Sequence, residues 1–140
     1  MAMLIEDGPF TERHGPVTSE LLVRLATLLN DFNPAHYDLE FATSVGLPGV
    51  IGPGTLLQAW IHADLVARVP HGSLAGGALV QELDLRFRSP FLVGETVQID
   101  YTITGRDVQV VISAPRDDGE PRSIATASAR LLANEDDAAR

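Results

Sequence analysis

Between residues 55 and 69 the chain is apolar almost all the way round. Leu56, Leu57, Ala59, Trp60, Ile61, Ala63, Leu65, Val66 and Ala67 leave no wide polar stripe. A helix of this kind belongs in an interior. Everything after it reads as strand. Residues 79–87 alternate, with Leu83, Leu85 and Phe87 on one face and Glu82, Asp84 and Arg86 on the other. Residues 96–104 alternate again, with Val97, Ile99, Tyr101 and Ile103 inward. A tight turn at Gly105-Arg106-Asp107 leads into 108–114, Asp117-Asp118-Gly119 predicts a hairpin turn, and 124–132 closes the sheet. A sheet with one apolar face must cover it. The simplest solution curls a four-strand antiparallel meander around the helix. The expected fold class is therefore α+β: one domain over 1–133, a curved antiparallel β-sheet around a central apolar helix, with a polar tail at 134–140.

Upstream, residues 4–13 suit one or two short strands. Thr18 or Ser19 can cap a helix whose apolar face is Leu21, Leu22, Leu25, Leu28 and Leu29, with Pro34 as its stop. Residues 38–45 suit a helix of one or two turns. Residues 46–54 are rich in glycine and proline and predict a shaped loop. On the central helix, Asp64 and Arg68 stand four apart and are expected to pair where it reaches solvent.

Composition removes several chemistries. The chain has no cysteine, so disulfides, thiolate nucleophiles and zinc–sulfur sites are excluded. Every basic residue outside histidine is arginine, which removes lysine Schiff bases. A net charge of −9 argues against nucleic acid as a partner and against an anionic membrane surface. The longest apolar stretch is broken by Gln58, His62 and Asp64, so no membrane span is expected. Glu6 and Asp7 stand where a signal peptide would be basic, and a cytoplasmic location is expected.

The most informative stretch is Asp31-Phe32-Asn33-Pro34-Ala35-His36-Tyr37-Asp38, followed by Phe41-Ala42. It places an acid and an imidazole on either side of a proline that holds the chain in a turn. Two groups able to trade protons around one small volume are what hydration of a double bond requires. Spacing alone leaves two readings open and favours the plainer one, in which Asp31 caps a turn and His36 lies on the surface.

The pattern Asp31-x-Asn33-Pro34-x-His36-x-Asp38-x-x-Phe41-Ala42 resembles the signature of the MaoC-like dehydratases and (R)-specific enoyl-CoA hydratases, which have the hot-dog fold. The run Gly46 to Gly54, then Arg86-Phe87-x-x-Pro90 and Gly94-Glu95-x-Val97, is similar to later parts of that family, so the likeness spans about residues 18–97. The resemblance implies Asp31 and His36 as a catalytic dyad and the Gly54 N–H as donor to a thioester carbonyl. It implies reversible hydration of a trans-2-enoyl thioester, on CoA or a carrier protein, to the (R)-3-hydroxyacyl thioester. No metal or redox cofactor is implied, because the thioester itself activates the α-carbon. The chain departs from the family in two places. Leu29-Asn30 stands where a small pair, often Ser-Gly, is usual, and Pro53-Gly54 stands where many members have His-Gly. Both changes bear on the loop and the acyl pocket.

Further candidates are weaker. Asn33 is expected to brace the loop by side-chain to backbone hydrogen bonds, or to face substrate. Tyr37 is a candidate for the site entrance. Trp60 and His62 are expected in the core, and His14 and His71 in loops. Arg86 and Arg88 share a strand face, either solvated or facing a CoA or carrier phosphate. Competing functions are a hot-dog thioesterase with Asp64 as its helix acid, a tailoring dehydratase or isomerase of a biosynthetic pathway, and an acyl-binding subunit of a heteromeric dehydratase. Exposed sheet edges and a half-open site predict a homodimer.

Overall fold

The computed structural model describes residues 5–70 and 79–132. His71 and the tail from 134 lie outside them. The elements run β1 (Gly8–His14), α1 (Ser19–Leu29), a 3₁₀ turn (Pro34–His36), α2 (Leu39–Ser44), α3 (Gly54–Ala67), β2 (Val80–Phe87), β3 (Val97–Thr104), β4 (Asp107–Ala114) and β5 (Arg122–Leu131). They form one five-stranded sheet in the order β1-β3-β4-β5-β2, antiparallel throughout. The sheet curls around α3, as a hot-dog fold requires.

The alternating pattern explains the core. Val97, Ile99, Tyr101 and Ile103 of β3, with Val108, Val110 and Ile112 of β4, are all buried against Leu57, Ile61 and Leu65 of α3. One expectation about topology changes. The second half is not a four-strand meander: β3, β4 and β5 are, but β2 pairs with β5 and takes the far edge. The stretch from Arg88 to Thr96 is long enough to carry the chain across the sheet. The first strand, β1, covers the other edge by pairing with β3.

The helix α3 is buried on one face only. Leu56, Leu57, Ile61, Asp64 and Leu65 are covered, while Gln58 and His62 are exposed and Val66 is about half exposed. Gln58 and His62 are one turn apart and mark a narrow polar stripe that the surrounding alanines disguise. His62 is therefore not a core histidine; its Nδ1 meets the Gln58 carbonyl at 2.7 Å. The expected Asp64–Arg68 pair does not form either. Arg68 bonds Glu12 on β1 and lies over the Phe10 ring.

Helix α1 begins as read, with Thr18 Oγ1 accepting from the Leu21 N–H at 3.1 Å. Its buried residues are Leu22 and Ala26, whereas Leu28 and Leu29 face out. The helix ends at Leu29, well before Pro34. Asn30 adopts the left-handed conformation (φ 53°), and its N–H reaches back to the Ala26 and Thr27 carbonyls. This is the position where helices favour glycine and next asparagine, whose short amide tolerates positive φ. Asn30 thus closes the helix in the residue before Asp31.

Candidate active site

The turn after Asn30 is held by its own short side chains. Asn33 Oδ1 accepts from the Ala35 N–H at 3.1 Å and starts the 3₁₀ turn, with Pro34 at its first position. Asp31 Oδ1 accepts from the Asn33 N–H at 3.3 Å. The turn brings His36 inward, where it is 8% exposed. Its Nδ1 donates to the Ile51 carbonyl at 2.8 Å, since a carbonyl can only accept. Nε2 then faces Asp31, with Oδ2 at 3.8 Å. That separation exceeds a hydrogen bond and lets both groups reach one shared small molecule. Asp31 itself is about two-fifths exposed.

His36 forms part of the wall of a cavity of about 410 Å³, together with Ile51, Gly54, Phe87, Arg88 and Phe91. Gly54 is the first residue of α3. The helix start has no side-chain cap; the Leu56 N–H turns back to the Pro53 carbonyl, which leaves the Gly54 and Thr55 N–H groups without an intrahelical acceptor. That end carries the positive side of the helix dipole. The cavity thus combines an imidazole, uncapped helix N–H donors and apolar walls.

Two glycines shape these walls differently. A Cβ at Gly52 would overlap the ring of Phe91, which is 2% exposed and cannot retreat. A Cβ at Gly54 would overlap the outer end of the Phe87 ring, which is 57% exposed and can swing away. Gly52→Ala should therefore destabilise the fold by about 1–3 kcal/mol, the usual cost of overpacking a core. Gly54→Ala should melt within a few degrees of wild type, yet lose at least ~10-fold in turnover because the close approach to the helix end is blocked. Thermal denaturation beside the activity assay separates the two.

Among the residues singled out from the sequence, the structure puts His36 and Gly54 on the cavity wall and sets Asp31 beside His36, outside that wall. Asn33 and Tyr37 do not line the cavity. Asn33 braces the turn, and Tyr37, half exposed, donates its hydroxyl to the Phe32 carbonyl at 3.0 Å. Arg86 and Arg88 part company: Arg86 lies near Asp84 on the outer surface, and Arg88 reaches the cavity. In the sequence Phe87 shares a strand face with Leu83 and Leu85, yet the structure leaves it well exposed. Its last position on an edge strand frees it to cover the helix start.

The sequence matches the model of the MaoC-like domain over residues 2–118. The chain belongs to the MaoC family. It is 29% identical over 101 residues to an (R)-specific enoyl-CoA hydratase of Rhodospirillum rubrum, covering 72% of this chain and 67% of that protein. Its fold is similar to that of the (R)-hydratase from A. caviae involved in PHA biosynthesis, at 20% identity and a TM-score of 0.61, over 94% of this chain and 98% of the other. It also resembles HtdX of Mycobacterium tuberculosis, at 25% identity and a TM-score of 0.66, over 88% of this chain and 47% of that one. No helix among the described residues of this MaoC-family chain is long and apolar enough to cross a membrane. Among the same residues, no cluster of three His, Asp or Glu could hold a metal ion.

The structure also holds a polar cluster that the sequence did not announce. Asp64 is 8% exposed; it accepts from the buried Tyr101 hydroxyl and meets His14 Nε2 at 2.9 and 3.0 Å. His14 ends β1 and stacks on Trp60 with ring centres 4.7 Å apart. It is therefore no loop histidine, and Trp60 is a packing residue. Burial pushes the Tyr101 hydroxyl well above its ordinary value, and the hydrogen bond and negative charge of Asp64 push it further. Asp64 is committed to these partners and does not line the His36 cavity, which removes the helix acid that a thioesterase reading needs.

Proposed function

We propose that this MaoC-family protein catalyses the reversible syn hydration of trans-2-enoyl thioesters to (R)-3-hydroxyacyl thioesters. The observation that carries the reading is the convergence of Asp31 and His36 beside a cavity walled by Gly54 at the start of α3. A water held between Asp31 Oδ2 and His36 Nε2 gives its oxygen to C3 of the enoyl group. The proton that must reach C2 comes from the same pair. Because Nδ1 is engaged by Ile51, Nε2 is the nitrogen that exchanges protons. The two groups act as one unit, so acid and base are not assigned separately.

As C3–O bonding proceeds, charge accumulates on the thioester oxygen. The Gly54 N–H, fixed at a positive helix end, is the donor placed to receive it. The reaction draws on no metal or redox cofactor, since the thioester makes the C2 carbanion an enolate. Two copies form the working unit. The strands β1 and β2 each leave one edge unpaired, the exposed face of α3 carries Val66, and the dyad is open on the side of Asp31.

The test is hydration of short- and medium-chain trans-2-enoyl-CoA by the purified protein, followed by the loss of enoyl-thioester absorbance. Turnover that falls to background in Asp31→Asn and His36→Asn supports the reading. Undiminished turnover in both variants places the chemistry elsewhere.

A further inference from the structure

The cavity has a cationic lip. Arg88 follows the end of β2, is exposed, and contributes to the same wall as His36 and Gly54. Its backbone is fixed: the N–H groups of Arg88 and Ser89 both donate to the Ile124 carbonyl, at 2.8 and 3.1 Å. The next residues are clamped as well. Arg122 bonds Ser89 Oγ, the Pro90 carbonyl and the Glu95 carboxylate, which in turn accepts from the Leu92 N–H. Arg88 is thus a flexible side chain on a rigid bracket.

Among the described residues its guanidinium also has no hydrogen-bond or ion-pair partner. Arg13, Arg24, Arg68, Arg86, Arg106, Arg122 and Arg130 each meet a carboxylate, an amide oxygen or a carbonyl. Among the described residues, only Arg88 and Arg116 have no such partner, and Arg116 lies in the exposed turn between β4 and β5. In a chain of net charge −9, an acidic surface outnumbers its arginines. An unpaired one at the mouth of an apolar cavity is an anion receptor in the making.

We propose that Arg88 binds the phosphate of the pantetheine arm that carries the acyl thioester. The inference rests on the hydratase reading for the acyl end, and adds a second, charged point of recognition outside the cavity. A cavity of about 410 Å³ takes an acyl group but not the whole arm, which must leave past the lip. CoA and a carrier protein both present a phosphate at the far end of that arm, so the shared chemistry is a phosphate ester.

Equilibrium titration tests this without relying on turnover. The probes are CoA, 4′-phosphopantetheine and phosphate-free pantetheine, each against wild type, Arg88→Ala and Arg116→Ala. Arg88→Ala should weaken CoA and 4′-phosphopantetheine about 10-fold or more, as expected for a charge-assisted bond, and should leave pantetheine unmoved. Arg116→Ala, with the same charge change, should bind all three like wild type. Loss for 4′-phosphopantetheine equal to that for CoA assigns the contact to the phosphate nearest the arm, common to both sources. Loss for CoA alone would put the contact on the nucleotide phosphates and overturn the assignment to the arm. Equal loss on pantetheine, equal loss in Arg116→Ala, no loss at all, or no binding of either phosphate-bearing probe to wild type overturns the proposal. Arg88-dependent CoA binding without hydration would sink the hydratase reading and leave the phosphate site standing.

Discussion

Asp31→Asn and His36→Asn should each lower kcat for enoyl-thioester hydration by about 10²–10⁴, the range expected when a positioned proton-transfer group is lost. The choice of asparagine matters at both positions. At Asp31 it keeps the size and the Oδ1 acceptor for the Asn33 N–H, and removes the charge beside His36. At His36, the asparagine amide nitrogen can take the place of Nδ1 and still donate to the Ile51 carbonyl. What disappears is Nε2. Both variants should therefore melt within a few degrees of wild type. His36→Ala would leave the Ile51 carbonyl without its partner and mix a stability loss into the kinetics. The double variant should be little worse than either single one, because groups that act as a unit do not contribute independently. Multiplying losses in the double variant would show that the two residues work at separate steps.

How much of this was legible in the sequence depended on distance along the chain. The turn that carries Asp31 and His36 could be read because Pro34 and Asn33 are local to it, but their pairing as a dyad came from the family resemblance, since spacing alone favoured a capped turn and a surface histidine. The inward faces of β3 and β4 followed from strict alternation. The pairing of β2 could not be read, because an alternating edge strand carries no mark of its neighbour, and the clamp on the 88–95 connection comes from Arg122 far downstream. The cluster of His14, Asp64 and Tyr101 joins residues 50 and 37 positions apart. Yet signals were present. Asp64 falls in the same helical stripe as the apolar Leu57 and Ile61, a position that points into the core. Tyr101 occupies an inward strand position, where a buried hydroxyl must find an acceptor. Those two facts together already demanded a contact between helix and sheet.

That contact is where the fold should be most sensitive. Asp64→Ala removes the shared acceptor of two groups, leaving the Tyr101 hydroxyl and the His14 ring without a partner beneath the helix. Each hydrogen-bonding group left unsatisfied costs about 1–3 kcal/mol, so losing the acceptor of both should cost more than losing either contact alone. For a domain of this size that should lower Tm by roughly 10 °C or more. Tyr101→Phe keeps the ring stacked on Phe10, at 4.5 Å between ring centres, and loses only the hydroxyl. Its cost should be nearer 1–3 kcal/mol, for one partner left unsatisfied. The two variants also differ from wild type at high pH. The native Tyr101 holds its proton well above the ordinary tyrosine value, so the folded state keeps a proton that the unfolded chain releases near pH 10. The stability from this group is complete below pH 10 and declines as pH rises beyond it, because the native state then binds more protons. Denaturant titrations between pH 8 and 11 should show that decline in wild type and a shallower one in Tyr101→Phe. Equal slopes in the two proteins would mean that Tyr101 titrates as it would in water, and that Asp64 does not hold its hydroxyl in the folded chain.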